Sequence, residues 1–178
     1  MFKRLFTIQH NPIIVVLMLL VSLAPVPIFA SEQFDDFNGN PKTIEQYTGN
    51  GRWLVVMLWA SDCRVCNQEV HEYINFHKQH ENKDARILGI SLDGAAKKAD
   101  AQAFLKRHNV NFPSLIGEPE KVATQYQELT GDTWVGTPSF MVYTPDGKLV
   151  GAQAGAVPVS VIESFIERES SATAPPNS

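Results

Sequence analysis

Apolar and polar positions fall into blocks along the chain, and the blocks have the lengths and periods of strands and helices. Residues 52–59, RWLVVMLW, form a continuous apolar run rich in large side chains, which is typical of a strand buried on both faces. From Val70 to His77, apolar side chains then recur at the i, i+3, i+4, i+7 spacing of an amphipathic helix. This spacing predicts a helix over residues 64–80.

The same alternation continues through the middle of the chain. Residues 85–93 predict a second buried strand, and helical spacing around Phe104 and Tyr126 predicts two further helices. The second of these helices is expected to end at Gly131, because glycine is the usual residue beyond a helix C-terminus. Residues 138–153 contain two apolar runs joined by a Pro-Asp-Gly turn, which predicts an antiparallel hairpin.

The C-terminal part completes the fold prediction. An apolar stripe from Val159 to Ile166 predicts a last helix, and the low-complexity residues 171–178 predict a disordered tail. The element order β-α-β-α-α-β-β-α predicts an α/β fold with a central mixed sheet and helices on both faces. We therefore expect one domain over residues 31–170.

Residues 1–30 have the composition of a targeting segment. Lys3 and Arg4 precede an apolar run over residues 12–25, and Ala30 supplies the small residue of a cleavage site. The run is shorter than the about 20 apolar residues that cross a bilayer, which favours a cleaved signal peptide over an uncleaved membrane anchor. Either alternative predicts an exported domain, periplasmic or otherwise extracytoplasmic.

The acidic net charge argues against nucleic acid as a partner. The 178-residue chain has a formal net charge of −4, and the two basic residues of the targeting segment leave the remainder more acidic still. Because no basic stripe is present, nucleic-acid binding is not expected. Membrane association is expected only if the N-terminal segment is retained.

Cys63 and Cys66 are the two cysteines of the chain, and they lie between the first predicted strand and helix. A disulfide closing a loop of about four residues stabilises by roughly 2 kcal/mol, which is little for a domain of this length. A zinc site needs a second pair of ligands that no other cysteine supplies. A thiol in the first turn of a helix lies near unpaired N–H groups, which favour the reactive thiolate. The pair therefore favours redox chemistry over a structural disulfide or a metal site.

Two segments carry a resemblance to a known family. Residues 59–66, WASDCRVC, resemble the W-A-x-x-C-x-x-C active site of thioredoxin-fold proteins, and residues 136–138, GTP, resemble their cis-proline loop. Together with the export signal and the spacing of the segments, they are most similar to the TlpA/ResA-like thiol:disulfide oxidoreductases. The resemblance covers the whole predicted domain and implies a thioredoxin-like fold.

The resemblance also implies roles for individual residues. Cys63 is the expected nucleophile and Cys66 the resolving thiol. Pro138 is expected in the cis form beside the disulfide, leaving the backbone of Thr137 to pair with an extended substrate segment. Glu69 matches a glutamate that ResA-like proteins place three residues after the second cysteine, and it is a candidate proton shuttle; a solvated helix carboxylate is the alternative.

The sequence departs from the family pattern at two places. Thioredoxin has a buried aspartate two residues before the motif tryptophan, where this chain has Met57. The two residues between the cysteines, Arg64 and Val65, include no proline, although this branch often has one before the second cysteine. These two positions tune the reduction potential, so the sequence leaves the direction of electron flow open. Trp134 is a candidate to line the substrate groove, with core packing as the alternative.

The resulting hypothesis is an extracytoplasmic oxidoreductase that reduces disulfides of exported proteins, cytochrome c maturation being one process that such enzymes serve. The resemblance implies a DsbD-type membrane electron donor, and no metal or organic cofactor is expected. One alternative is an oxidase of the same fold that donates its disulfide. Another is a copper- or zinc-handling chaperone using both cysteines with a histidine such as His71. A peroxidase is not expected, because neither cysteine lies in a P-x-x-x-T-x-x-C pattern.

Overall fold

A computed structural model of the chain describes residues 33–173. The predicted signal peptide, residues 1–30, lies outside the described residues, as do residues 174–178 of the predicted tail. Within the part of the chain that is described, no helix has the length and hydropathy needed to cross a membrane.

A seven-stranded mixed sheet forms the centre of the domain. Its strands are β1 (Phe34–Asp36), β2 (Pro41–Lys42), β3 (Trp53–Trp59), β4 (Ala85–Ser91), β5 (Ser114–Ile116), β6 (Ser139–Tyr143) and β7 (Leu149–Ala154). Their order across the sheet is β2-β1-β5-β4-β3-β6-β7. Strands β3, β4 and β5 are parallel, whereas the pairs at both sides of them are antiparallel. The predicted central mixed sheet is confirmed.

Within residues 33–173, four α-helices accompany the sheet: α1 (Arg64–His80), α2 (Lys98–Arg107), α3 (Pro119–Thr130) and α4 (Val159–Thr173), with a short 3-10 helix at Ile44–Tyr47. Helix α1 has the bounds that its apolar spacing predicts. Helix α3 ends at Gly131, whose φ of 77° suits a residue without a side chain. Helix α4 runs three residues beyond residue 170, where the sequence predicted the tail to begin.

The side chains of β3 divide the core between the two faces of the sheet. Its odd-numbered residues, from Trp53 to Trp59, pack with α1, α2 and α4 in what we call the α1-side core. Its even-numbered residues, from Leu54 to Leu58, pack with α3 and the 3-10 helix in the α3-side core. All seven residues of β3 are buried. The sequence therefore correctly predicted a strand buried on both faces, with helices on both sides.

Strand register determines which loops meet at one edge of the sheet. Trp59 at the end of β3 pairs with Ser91 at the end of the parallel strand β4. On the other side of β3, Leu58 pairs with Ser139, the first residue of the antiparallel strand β6. The loops that follow β3 and β4 and the loop that precedes β6 therefore lie at the same edge.

The sequence missed the three shortest strands, β1, β2 and β5. They contain two or three residues each, too few for an alternating pattern to be detected. Residues 109–113, which lie between α2 and β5, show no pattern that announces the strand. Such short strands depend on the hydrogen bonds that neighbouring strands offer, which the local sequence does not encode.

A buried histidine completes the hydrogen bonding of β4. The N–H of Gly89 points towards the β5 side of the strand and donates to the carbonyl of Pro113 at 2.9 Å. The N–H of Ile87, two residues earlier, points to the same side, but β5 begins only at Ser114, opposite Gly89. His77 of α1 supplies the missing acceptor, because its Nδ1 accepts from the Ile87 N–H at 3.0 Å.

This contact predicts an acid-sensitive contribution to stability. Burial lowers the pKa of His77 below its ordinary value of 6.5; Arg86 adds to the lowering and Glu81 opposes it. A protonated Nδ1 cannot accept from Ile87, so the unfolded chain binds this proton more readily than the folded chain. We expect the free energy of unfolding to fall as pH drops from 6.5 through the lowered pKa, by at most about 1.4 kcal/mol per pH unit.

Urea unfolding at a series of pH values measures this slope, and two variants separate its causes. His77→Asn retains a side-chain acceptor without a titrating group and should flatten the slope relative to the wild type. His77→Phe leaves the buried N–H of Ile87 without an acceptor and should cost about 1–3 kcal/mol at neutral pH. An unchanged slope in His77→Asn would contradict the assignment.

Candidate active site

The two cysteines form a disulfide at the first turn of α1. Their Cα atoms are 5.3 Å apart. Cys63 is the N-cap residue of the helix, and its Sγ accepts a hydrogen bond from the backbone N–H of Cys66 at 3.1 Å. Cys66 is fully buried in the α1-side core, whereas Cys63 is half-exposed. Cys63 is therefore the sulfur that a partner can reach, and the helix N-terminus stabilises negative charge on it after reduction.

A buried carboxylate fixes the loop before the disulfide. Asp93 follows β4 by two residues, and it is 7 % exposed. Its carboxylate accepts three hydrogen bonds: from the N–H of Ser61 at 2.9 Å, from the hydroxyl of Ser61 at 2.7 Å and from the hydroxyl of Ser91 at 2.6 Å. These bonds offset the cost of burying the carboxylate. They also tie the segment two residues before Cys63 to the end of β4.

The side-chain amide of Asn67, on α1, binds the same loop. Nδ2 of Asn67 donates to the carbonyl oxygens of Ser61 at 3.0 Å and Cys63 at 2.9 Å. Its Oδ1 lies 3.1 Å from Nε2 of His108, the residue that follows α2. Burial lowers the pKa of His108 and Arg107 adds to the lowering, which favours the neutral ring. Because an amide oxygen can only accept, the contact with Oδ1 assigns the ring proton to Nε2. His108 then donates to Asn67 and orients the amide.

Asn67, Asp93 and His108 were not predicted from the sequence as members of the site. Nothing in their local patterns distinguishes them, since Asp93 resembles a turn residue and His108 fits the apolar spacing of α2. The one available signal is position: Asp93 follows a buried parallel strand, whose end lies at the edge where the cysteine loop begins. Tertiary structure is needed to bring the three side chains to that loop.

An exposed ion pair includes Asp62, the neighbour of Cys63 in the sequence. Nζ of Lys97 is 2.8 Å from Oδ2 of Asp62, the residue before Cys63. The Lys97 ammonium lowers the pKa of Asp62, and the carboxylate raises the pKa of Lys97. An exposed pair of this kind contributes little to stability. Its local effect is to offset the negative charge next to Cys63.

The proline loop lies at the edge of the sheet that carries the disulfide. The Thr137–Pro138 peptide bond is cis, and Pro138 is buried directly before β6. Because β6 pairs with β3, the antiparallel register places Pro138 beside Trp59 at the end of β3. Gly136 has a φ of 144°, a conformation that residues with side chains rarely adopt. Thr137 is half-exposed at this edge.

The two remaining candidate residues, Glu69 and Trp134, lie on opposite faces of the sheet. Glu69 is half-exposed on α1, one turn past Cys66, and borders a groove of about 600 Å³ between α1 and α4. Its charge adds to the effect of burial, which raises the pKa of Tyr73 in the same groove. Trp134 is half-buried against the α3-side core. Its neighbour Val135, which the sequence analysis did not single out, is 76 % exposed.

His71, the histidine considered for a metal site, contacts a neighbouring carboxylate. Nε2 of His71 lies 3.1 Å from the carboxylate of Glu72, and both side chains are exposed. Among residues 33–173, no group of three or more His, Cys, Asp or Glu side chains is placed to hold a metal ion.

Comparison with known proteins supports both the fold and the family. Residues 24–152 match the AhpC/TSA family. The thiol-disulfide oxidoreductase ResA of Bacillus subtilis is 25 % identical over 132 residues, which cover 74 % of this chain and 68 % of ResA. Alkyl hydroperoxide reductase C of Mycobacterium tuberculosis is 29 % identical over 120 residues, covering 64 % of this chain and 60 % of that protein.

A solved structure agrees with the architecture. The thioredoxin domain of a thiol-disulfide oxidoreductase from Bacteroides vulgatus superposes with a TM-score of 0.62 and 17 % identity, covering 79 % of this chain and 93 % of that domain. At this identity, the likeness establishes the fold, and it confirms the thioredoxin-like α/β fold that the sequence predicted. The match over most of its length shows that the chain belongs to the AhpC/TSA family.

Proposed function

We propose that this protein is an extracytoplasmic thiol-disulfide oxidoreductase that reduces disulfides in exported proteins. One observation carries the proposal: a half-exposed sulfur, Cys63, caps α1 and is linked to a buried sulfur, Cys66. The similarity to ResA, which is named a thiol-disulfide oxidoreductase, supports the same activity. The apolar run in residues 12–25 supports export.

The reaction follows from the positions of the two sulfurs. In the reduced protein, the Cys63 thiolate attacks one sulfur of a substrate disulfide; a Cys63–substrate bond forms, and the other substrate sulfur leaves as a thiolate. The Cys66 thiolate then attacks Sγ of Cys63, and the bond to the substrate breaks. The substrate gains two electrons and departs as a dithiol, leaving the Cys63–Cys66 disulfide present in the structure.

The edge around the disulfide suits an extended, partly apolar polypeptide. Thr137 is half-exposed beside the end of β3, where its backbone is available to pair with a segment of substrate. Val135 adds an exposed apolar side chain two residues earlier, and its neighbour Trp134 is partly buried against the α3-side core. Disulfides in unfolded or locally unfolded clients fit this surface better than those inside rigid domains.

Proton transfer accompanies resolution, because Cys66 must lose its proton before it attacks. Glu69 is the nearest carboxylate along α1, one turn beyond Cys66 and open to the α1–α4 groove. We assign to Glu69 the role of accepting this proton and passing it to water in the groove.

Repeated turnover requires a source of electrons, because each cycle ends with an oxidised pair. An oxidising compartment does not restore the dithiol, so a membrane electron donor of the DsbD type is the expected partner. Both electrons travel through sulfur atoms, and the proposed reaction needs no metal or organic cofactor. The client is a protein thiol or disulfide in the same compartment.

The reduction potential of the pair tests the proposed direction. We expect the purified domain, equilibrated with a dithiothreitol redox buffer and followed by thiol labelling, to have a potential below about −250 mV, which is typical of reductants. A value near −120 mV, in the range of strong oxidants, would instead establish the oxidase alternative. Cys63→Ser, which cannot form the disulfide, is the control that must show no redox transition.

A further inference from the structure

Asn67 and His108 form a continuous link between the core and the cysteine loop. The ring of His108 lies 4.6 Å from that of Phe104, which stacks on Trp59 at 4.4 Å between centroids. Nε2 of His108 contacts Oδ1 of Asn67, whose amide nitrogen binds two carbonyl oxygens of the loop. We call the Asn67–His108 pair the amide clamp. The proposed thiol chemistry itself uses neither residue.

The clamp matters most when the disulfide is open. In the oxidised protein, the covalent bond between Cys63 and Cys66 holds the loop against the helix. Reduction removes that bond, whereas the hydrogen bonds of Asn67 to the carbonyls of Ser61 and Cys63 involve no sulfur and do not depend on it. We therefore expect them to anchor the loop in the reduced state, which attacks substrates.

We propose that the amide clamp positions Cys63 at the helix N-terminus throughout the catalytic cycle, an inference that rests on the proposed function. In the reduced protein, this position keeps the Cys63 sulfur near the N–H of Cys66, which favours its thiolate. In the mixed disulfide, it keeps Sγ of Cys63 within reach of Cys66. Asn67 and His108 are thus positioning residues, which exchange no proton or electron with the substrate.

The chemistry of the two side chains fits this role. Two carbonyl oxygens must be bound at once, and a carboxamide nitrogen offers two N–H donors from one atom. An amide that is free to rotate could present its oxygen to the carbonyls instead, and the donor of His108 to Oδ1 prevents this. The effect of His108 on the loop is therefore expected to pass through Asn67.

Single-turnover kinetics of the full chain test the proposal. Reduced protein is mixed with glutathione disulfide, quenched with acid and analysed by mass spectrometry for the Cys63–glutathione adduct. We expect Asn67→Ala to resolve this adduct about tenfold more slowly than the wild type, because a misplaced sulfur loses the advantage of orientation. Alkylation of reduced Cys63 by iodoacetamide at neutral pH should slow about threefold, since less of the thiol is ionised.

Matched variants identify the route of the effect. His108→Ala should slow both reactions in the same direction, and His108→Gln, which restores an N–H donor, should recover most of the rate. The double variant should behave like Asn67→Ala alone. Gln68→Ala, an exposed neighbour on the same helix, should match the wild type in both assays. If Asn67→Ala fails to fold, the comparison of His108→Ala with His108→Gln remains decisive.

The outcomes distinguish the clamp from the activity on which it rests. A reduced wild-type protein that forms neither the adduct nor the Cys63–Cys66 disulfide with glutathione disulfide would refute the proposed function. A reactive wild type whose Asn67→Ala variant has unchanged adduct resolution and alkylation would refute the clamp. Additive effects of the two substitutions would show that His108 does not act through Asn67, and would overturn the proposal in that form.

Discussion

Replacing Cys63 by Ser is expected to reduce disulfide reductase activity to the uncatalysed rate. Replacing Cys66 by Ala is instead expected to leave the protein covalently linked to its substrates. The difference follows from exposure, because Cys63 is half-exposed and Cys66 is fully buried. Without Cys63, no accessible thiolate begins the exchange. Without Cys66, the first step still occurs, but nothing displaces the substrate from Cys63.

Insulin reduction with dithiothreitol as electron source measures the loss of activity in Cys63→Ser. Expression of Cys66→Ala in an exporting host, followed by non-reducing electrophoresis and mass spectrometry, identifies the trapped proteins. The double variant, Cys63→Ser with Cys66→Ala, is the control that must trap nothing. Adducts formed through Cys66 in the Cys63→Ser protein would reverse the assigned roles of the two sulfurs.

Truncating Trp59 is expected to have the largest effect on stability. This residue is 1 % exposed, ends β3 and stacks on Phe104 with ring planes 26° apart. Its indole N–H is buried without a hydrogen-bond partner among the described residues, so its contribution comes from packing and not from a hydrogen bond. Trp59→Ala leaves a large cavity in the α1-side core and should lower the free energy of unfolding by about 3–5 kcal/mol.

Urea denaturation followed by circular dichroism measures this change. Val135→Ala, an apolar truncation at a residue that is 76 % exposed, is the matched control and should change stability by less than about 0.5 kcal/mol. A loss below about 1 kcal/mol in Trp59→Ala would mean that the core collapses around the missing ring and that Trp59 is not a principal packing residue.

The regular elements were predictable because their patterns are long. Helix α1 contains several apolar positions at a constant period, and β3 is an uninterrupted apolar run, so each fixes its own secondary structure locally. Strands β1, β2 and β5 were not predictable, since a strand of two or three residues is defined by its partner. The length of a pattern, more than its composition, decided which strands and helices could be predicted from the sequence.

The chemistry of the candidate site was predictable only in part. The spacing of Cys63 and Cys66 and the position of Pro138 could be recognised in the sequence, because the two motifs are short and local. Asn67 and His108 could not, since 41 residues separate them and their meeting depends on how α2 packs beside α1. The residues proposed to react were therefore easier to identify than the residues proposed to hold them in place.

The sulfur of Cys63 is more exposed than that of Cys66, and this difference in burial bears on oxidative damage. In the reduced protein, hydrogen peroxide is expected to reach the more exposed Cys63 sulfur first and to convert its thiolate to a sulfenic acid. The buried sulfur beside it is shielded from peroxide but adjacent to the sulfenic acid, and condensation of the two expels water and regenerates the disulfide. We therefore expect the pair to be protected from overoxidation to the irreversible sulfinic and sulfonic acids, and exposure to peroxide to yield the disulfide with which the proposed cycle ends.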